Sequence, residues 1–251
     1  MNLVGTAMLA WREIRRTLGS VHEVVWPPLA ATLLALFAFG LGLGDQLGAI
    51  DGLSYAAYLA PGLIALHVVE AAYGHGAESI FGDRFTGSID ELALAPLGPL
   101  ELALGYALGA VFRALLVGVV LAAVTWLLLG LQPAHPLAAL AALGLVAMLF
   151  AAVGLAVGQL ASRNDHVAMA TTFFITPLAL VGGVFTPPAL LPAALSHANP
   201  LFYGVAAVRW ALTGHADAPP ALAALVLTLG AAAAAAVAIA LLRHGVVAVH
   251  A

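Results

Sequence analysis

Between Val24 and Gly44 the chain runs 21 residues without a charge, and most of its 251 residues repeat that pattern. A hydrocarbon core about 30 Å thick is crossed by roughly 20 apolar residues rising 1.5 Å each, so this one run is already long enough to span a bilayer. Charged residues make up 8% of the chain and hydrophobic ones 63%, with a mean hydropathy of +1.07. A soluble domain draws about a quarter of its residues from Asp, Glu, Lys and Arg. The share here cannot cover a water-facing exterior, so the bilayer is the solvent. Open-edged sheets cannot cross lipid, and the ten-residue alternation of an outer-membrane barrel is absent, so the spans are helices. The expected fold is therefore all-α: a polytopic membrane protein whose residues 1–251 form one transmembrane domain. Six spans are expected at roughly 24–44, 55–80, 103–130, 137–161, 167–186 and 221–242.

Several function classes drop out on composition. The chain contains no cysteine, which removes disulfides, thiolate metal sites and cysteine nucleophiles. All eight basic residues are arginines, so a P-loop lysine and a Schiff-base lysine are both missing. The formal net charge is −4 and no basic patch with interleaved aromatics occurs, which argues against nucleic acid as a partner. Arginine placement sets the expected orientation. Arg12, Arg15 and Arg16 precede span one, Arg84 lies between spans two and three, Arg163 between four and five, and Arg243 after six; the opposite side offers only Arg209. By the positive-inside rule both termini are cytoplasmic, and the loop around Asp45 and Asp51 faces outward, as does 187–220. Arg113, inside span three, is discordant, and is expected to snorkel to the cytoplasmic interface or pair across the bundle.

Ahead of span one, Leu3, Ala7, Trp11, Ile14 and Leu18 recur at helical spacing, with Arg12, Glu13, Arg15 and Arg16 mostly opposite. This predicts an amphipathic interfacial helix over 1–20. A cleavable signal peptide fits poorly, because the apolar run is too long and no small-x-small site precedes an exported domain. Glycines four apart, Gly40 and Gly44, Gly105 and Gly109, and Gly154 and Gly158, permit close helix approach, although glycine is common in membrane helices generally.

Between spans two and three, the stretch from Asp83 to Pro96 carries its own start and stop signals. Ser88 and Glu91 have capping-box spacing, Asp90 and Glu91 suit the positive end of a helix dipole, Gly87 frees the entry turn, and Pro96 prevents continuation. A short cytoplasmic helix over 87–96 is expected, either as a simple connector or as a docking element. Span two also holds His67, Glu70, His75 and Glu78 within an arc of about 140°. A carboxylate that deep must face the bundle or a wet cavity. It is read as one of three things: a structural His67–Glu70 pair, a polar patch of a translocation path, or a metal or proton site. One helix seldom supplies enough convergent ligands for a metal. Segment 187–220 is too apolar for an ordinary loop and too broken by Pro187, Pro188, Pro192 and Pro200 for a span, so pieces near 189–196 and 201–213 are expected to be re-entrant or interfacial.

Four blocks together carry a family resemblance. They are Tyr58-Leu59-Ala60-Pro61-Gly62-Leu63, the Thr86 to Pro96 segment, Ile175-Thr176-Pro177 leading to Gly182-Gly183-Val184-Phe185, and Leu195-Ser196-His197-Ala198-Asn199-Pro200-Leu201-Phe202-Tyr203 with Arg209 and Gly214 following. In this order and spacing the chain resembles the permease subunit of ABC-2 type export systems, which include permeases for drugs and lipo-oligosaccharides. The resemblance implies a bacterial inner-membrane permease that pairs with a second copy and docks on separate ABC ATPase subunits. It would move a hydrophobic or amphipathic substrate (lipid, glycolipid or drug-like) outward. ATP and magnesium would then be bound by the partner, this chain holding no cofactor and no catalytic residue. It further implies that Gly87, Ser88, Asp90, Glu91 and Pro96 form the coupling helix. The N-terminal helix would be the connecting helix, and an outer re-entrant segment over 187–213 would hold Asn199, Pro200, Tyr203 and Arg209 at an outer gate. A secondary transporter or channel using Glu70 and the span-two histidines is the alternative, but it would need paired broken repeats, which are not evident. An intramembrane hydrolase built on Ser196 and His197 lacks nucleophile-elbow glycines.

Overall fold

The computed structural model describes residues 2–42, 49, 50, 52–88, 92 and 96–249, with the side chains of 41 and 244–249 left aside. The helices, in chain order, are α1 (Leu3–Gly19), α2 (Val21–Ala35), α3 (Tyr55–Phe85), α4 (Pro99–Leu129), α5 (Pro136–Leu160), α6 (Asn164–Ala170), α7 (Thr176–Val181), α8 (Ala193–His197), α9 (Pro200–Thr213) and α10 (Pro220–Val249). Among the described residues, five helical segments are long and apolar enough to cross a membrane: Val21–Gly40, Tyr55–Phe85, Pro99–Leu129, Pro136–Leu160 and Pro220–Arg243. The chain is a multi-pass helical membrane protein.

The run expected at 167–186 has a different shape. Helix α6 begins at Asn164, passes through a π-helical stretch, Thr171–Ile175, and continues as α7 only to Val181. Pro177 has no N–H for the carbonyl one turn back, and the helix widens just before it: the Thr176 N–H reaches Thr171, five residues earlier. Gly182 and Gly183 then end it, Gly183 with φ of +78°. Residues 182–186 consequently fold back as a turn.

Helix α3 is the centre of the bundle. Its buried residues lie on all sides, from Tyr58 and Leu59 through Ile64, Val68 and Tyr73 to Ile80. It packs chiefly against α5 and α4. The α5 approach depends on glycine: a Cβ at Gly154 would run into the Tyr73 carbonyl and one at Gly158 into the Ala77 carbonyl, while on α3 a Cβ at Gly76 would stand 2.7 Å from the Ala151 carbonyl oxygen. Backbones therefore touch backbones along this seam, as small-residue packing in lipid requires. Gly105 and Gly109 of α4 make the same close approach to Leu9 and Glu13 of α1, and Gly40 to Ala56, whereas Gly44 lies outside the described residues.

Helix α1 forms where expected, but its buried face is not the aliphatic stripe. Thr6, Leu9, Ala10, Glu13 and Thr17 face α4. Leu3, Ala7, Trp11 and Leu18 are exposed, with Ile14 half-buried. The large apolar side chains point away from the bundle, and the small and polar ones fit the glycine seam of α4. This corrects the expectation that Glu13 lies on a solvated face.

After the 3₁₀ turn Pro188–Leu190 and the short α8, helix α9 enters the bundle. Every residue from Leu201 to Leu212 except Trp210 is buried. It packs on α3, α5 and α10. The carbonyls left over at its C-terminal end are met by the α4–α5 loop, where the His135 N–H donates to Ala211 O at 2.8 Å and that of Ala134 to Leu212 O at 3.2 Å.

Candidate functional site

The site is built from polar groups at three depths. Where α1 meets α3 and α4, Glu13 is 1% exposed and accepts hydrogen bonds from Ser79 Oγ at 2.9 Å and from Arg12 Nη2 at 2.8 Å. The His75 Nε2 atom stands 3.2 Å from the same carboxylate, at Glu13 Oε2. Gly109 leaves the room this carboxylate needs, because a Cβ there would collide with the Glu13 stem. Burial alone would raise the Glu13 carboxyl, but the bonds from Ser79 and Arg12, with the imidazole of His75 close by, outweigh it and hold its pKa at about 2. Arg12 also pairs with Asp83, whose Oδ2 accepts from Tyr106 Oη at 2.5 Å. Burial lowers the Arg12 pKa, and the two carboxylates more than reverse that. The cluster thus ties one face of α1 to α3 and α4 by charge as well as by packing.

The N-terminal end of α1 is anchored next to the α3–α4 connection. Asn2 donates its backbone N–H to Glu101 Oε1 at 2.8 Å and its side-chain amide to the Pro96 carbonyl at 3.2 Å. Of the residues expected to form the coupling helix, Gly87 has φ of +77° and follows directly on the end of α3, Ser88 Oγ lies 3.0 Å from Thr86 Oγ1, and Pro96 sits at the entry to α4. Asp90 and Glu91 lie outside the described residues.

The four ionisable residues of span two do not converge on one point. His67 Nδ1 and Glu70 Oε2 are 3.0 Å apart, and both line a cleft between α2, α3 and α4. His75 is 3% exposed and turned to Glu13. Glu78 is exposed on the other flank, where it lines a second cleft with Asn164, Thr171 and Thr172 of the α6 region. Among the described residues no group of three or more His, Asp or Glu is placed to hold a metal ion.

At the opposite end of α3, Arg209 of α9 is 1% exposed. It pairs with Asp217, donates from Nη2 to Gly183 O at 2.7 Å and from Nε to Tyr58 O at 3.3 Å, and lies 3.9 Å over the Tyr58 ring. Asn199 caps α9 by accepting from the Leu201 N–H at 2.9 Å and donates to Leu178 O at 2.7 Å. Pro200 is the first residue of α9, and Tyr203 Oη donates to His197 O at 3.1 Å. Tyr55 Oη adds a bond to Phe185 O at 2.9 Å, and Gly62 lets α3 approach the Val184 backbone closely. Three of the four resembling blocks are therefore neighbours in space: Tyr58 and Gly62, the Gly182–Phe185 turn, Asn199 and Arg209 form one buried cluster, while the Thr86 to Pro96 block starts at the other end of α3.

Sequence reasoning missed the Arg12, Glu13, Ser79, Asp83 and Tyr106 cluster. A usable signal existed in the spacing of Thr6, Ala10, Glu13 and Thr17, a face of small and polar residues that matches the Gly105–Gly109 pair.

The profile of the family described as ABC-2 type transporter matches residues 5–213. The inner membrane transport permease YadH of Escherichia coli (strain K12) is 34% identical over 222 residues, covering 87% of this chain and 85% of that protein. Nodulation protein J of Rhizobium leguminosarum bv. trifolii is 31% identical over 192 residues, covering 74% and 73%. The same-named protein of Sinorhizobium fredii (strain NBRC 101917 / NGR234) is 29% identical over 210 residues, covering 81% and 77%. With an all-helical membrane bundle and a matching profile over most of its length, the chain belongs to the ABC-2 type transporter permease family.

Proposed function

We propose that this permease is the membrane subunit of an ATP-driven exporter, moving a hydrophobic or amphipathic substrate out of the cytoplasm or inner leaflet, with ATP hydrolysed by separate ABC ATPase subunits. The observation that carries this is the combination of family membership with a chain that has no lysine from which a P-loop could be built. Force must then enter through a cytoplasmic contact, and segment 87–96 is its place, through Gly87, Ser88, Asp90, Glu91 and Pro96. The bonds of Asn2 to Pro96 and Glu101 support this reading, because they put the start of α1 against the same connection. Both termini are cytoplasmic in this scheme, and two copies pair to complete the pathway. The α6–α7 run is the sixth crossing: its 18 residues reach about 27 Å at 1.5 Å each, enough for a thin or locally thinned core.

The exposed polar side of α3 supports a pathway past His67, Glu70 and Glu78, since both flanking clefts open on it. His75 takes part from behind, through Glu13. Asn199, Pro200, Tyr203 and Arg209 hold the outer closure. The test is co-expression with a candidate ABC ATPase followed by purification on a tag carried by the permease. The ATPase should co-elute, and Ser88→Gly combined with Glu91→Ala should weaken that complex or abolish the effect of added substrate on hydrolysis, because loss of a cap costs about 0.5–2 kcal/mol and frays a short helix. Full coupling in the double variant would remove segment 87–96 from the mechanism.

A further inference from the structure

The cleft between α2, α3 and α4 has a volume of about 350 Å³ and mixes charges of both signs. Glu23 of α2, Glu70 and His67 of α3 and Arg113 of α4 line it. Arg113 is half-buried and its Nε is shielded from solvent, yet this nitrogen has no hydrogen-bond partner among the described residues. Glu23 and Glu78 are near enough to attract the guanidinium and Arg16 near enough to repel it, but no carboxylate is in ion-pair contact with it among the described residues. A guanidinium at this depth with an empty donor is costly unless something occupies the space before it.

The rest of the wall supplies acceptors. Pro27 and Pro28 also line the cleft and lack the N–H groups that would bond the carbonyls of Glu23 and Val24 one turn earlier, so those oxygens are free of their helical partners. Glu23 is exposed, and Glu70 is 38% exposed with one carboxylate oxygen held by His67. A bare anion meeting Arg113 would face two carboxylates, and a bare cation meeting the carboxylates would face Arg113. Complementarity requires both signs on one molecule, an anion for the planar guanidinium fork and an ammonium for the acidic side.

Depth narrows the choice. Glu23 is the third residue of the first candidate span, so the cleft opens at the membrane–water interface. Exposed Trp26 marks that level on α2, while exposed Leu34 and Phe37 continue towards the middle of the bilayer. A head group at Arg113 would have an apolar rail for its tails.

We propose that this cleft binds the zwitterionic head of a phospholipid in the leaflet on the α1 side, its phosphate on Arg113 and its ammonium on Glu23 and Glu70. The proposal requires only that the chain spans a bilayer and is independent of the export reading. It is tested with the delipidated full-length protein by native mass spectrometry, titrating phosphatidylethanolamine or phosphatidylglycerol of the same tails. Phosphatidylethanolamine should bind about tenfold more tightly, and the preference should disappear in Glu70→Gln, which removes a partner of the ammonium, whereas Arg113→Gln, which removes the partner of the phosphate that both lipids carry, should weaken the binding of both. Glu70→Gln replaces a partly exposed group and keeps the test valid should the arginine variant fail to fold. Equal affinity for the two lipids, or a preference unchanged in Glu70→Gln, overturns the proposal. Displacement of the lipid by equimolar glycerophosphoethanolamine, which has the head without the tails, would assign the cleft to a soluble ligand and also overturn it.

Discussion

Replacing Glu13 by glutamine changes one charge in the attachment of α1 while nearly keeping size. The carboxyl is held at about 2 against an ordinary value of 4.5, a difference of about 2.5 units, and at 1.36 kcal/mol per unit this is worth about 3 kcal/mol to the docked state. The figure agrees with the roughly 3–5 kcal/mol lost when one partner of a buried pair is removed. At about 1.4 kcal/mol per factor of ten, opening of α1 from the bundle becomes roughly a hundredfold more frequent. The assay is hydrogen exchange by mass spectrometry on peptides from α1, with α5 peptides as internal reference. Glu13→Gln should exchange about a hundredfold faster in α1 and unchanged in α5. The pH dependence has a definite sign. A carboxyl whose folded pKa is depressed stabilises the docked state above the unfolded value near 4.5, and that contribution is lost as pH falls from there towards 2. Wild-type α1 should lose protection across that window after correction for intrinsic exchange, and the glutamine variant should show no such window. An α1 exchange rate in Glu13→Gln within about threefold of wild type would refute the reasoning.

Gly154→Val should push α3 and α5 apart, because its side chain meets the Tyr73 carbonyl; a cost of about 1–3 kcal/mol is expected as a lower melting temperature of the purified protein. Gly144→Ala, where nothing lies within 4 Å of the added carbon, is the neutral or slightly stabilising control. Arg209→Met should cost about 3–5 kcal/mol, since it strands Asp217 and the Gly183 carbonyl, and should lower the melting temperature by about 2–4 °C per kcal/mol. Single cysteines introduced at 51 and 243 of this cysteine-free chain should react with an impermeant thiol reagent in intact cells at 51 and not at 243; the reverse pattern would invert the topology.

The helical fold class and the five long apolar helices were legible because lipid leaves few options: long apolar runs must be helices, and helices of that length must cross or pack. The ends were less legible. The run near 167–186 ends at Val181 because Gly182 and Gly183 turn the chain, and such a turn can follow a span without changing its hydropathy. Hydrophobic periodicity marked the aliphatic stripe of α1 but not the face by which it packs on α4. In water the aliphatic stripe marks the core, but beside a bilayer Leu3 and Trp11 are as well placed in lipid, and packing goes to the small face that fits Gly105 and Gly109. The Arg209 cluster was visible as scattered motifs, since Tyr58, Gly183, Asn199 and Arg209 are far apart in sequence. Only the fold brings Arg209 to the carbonyls of Tyr58 and Gly183. Glu13 was hidden for a simple reason: with arginines at 12, 15 and 16 around it, a carboxylate in an N-terminal helix reads as one of a solvated set.

The export reading depends on ATP being hydrolysed in trans. Purified permease, purified ATPase and their complex, each reconstituted in lipid vesicles and assayed for phosphate release, decide this directly. The permease alone should release no phosphate above empty vesicles, and the complex should hydrolyse ATP at a rate different from the free ATPase and responsive to an added amphiphilic substrate. Hydrolysis by the permease alone, or a complex indistinguishable from the free ATPase, would contradict it.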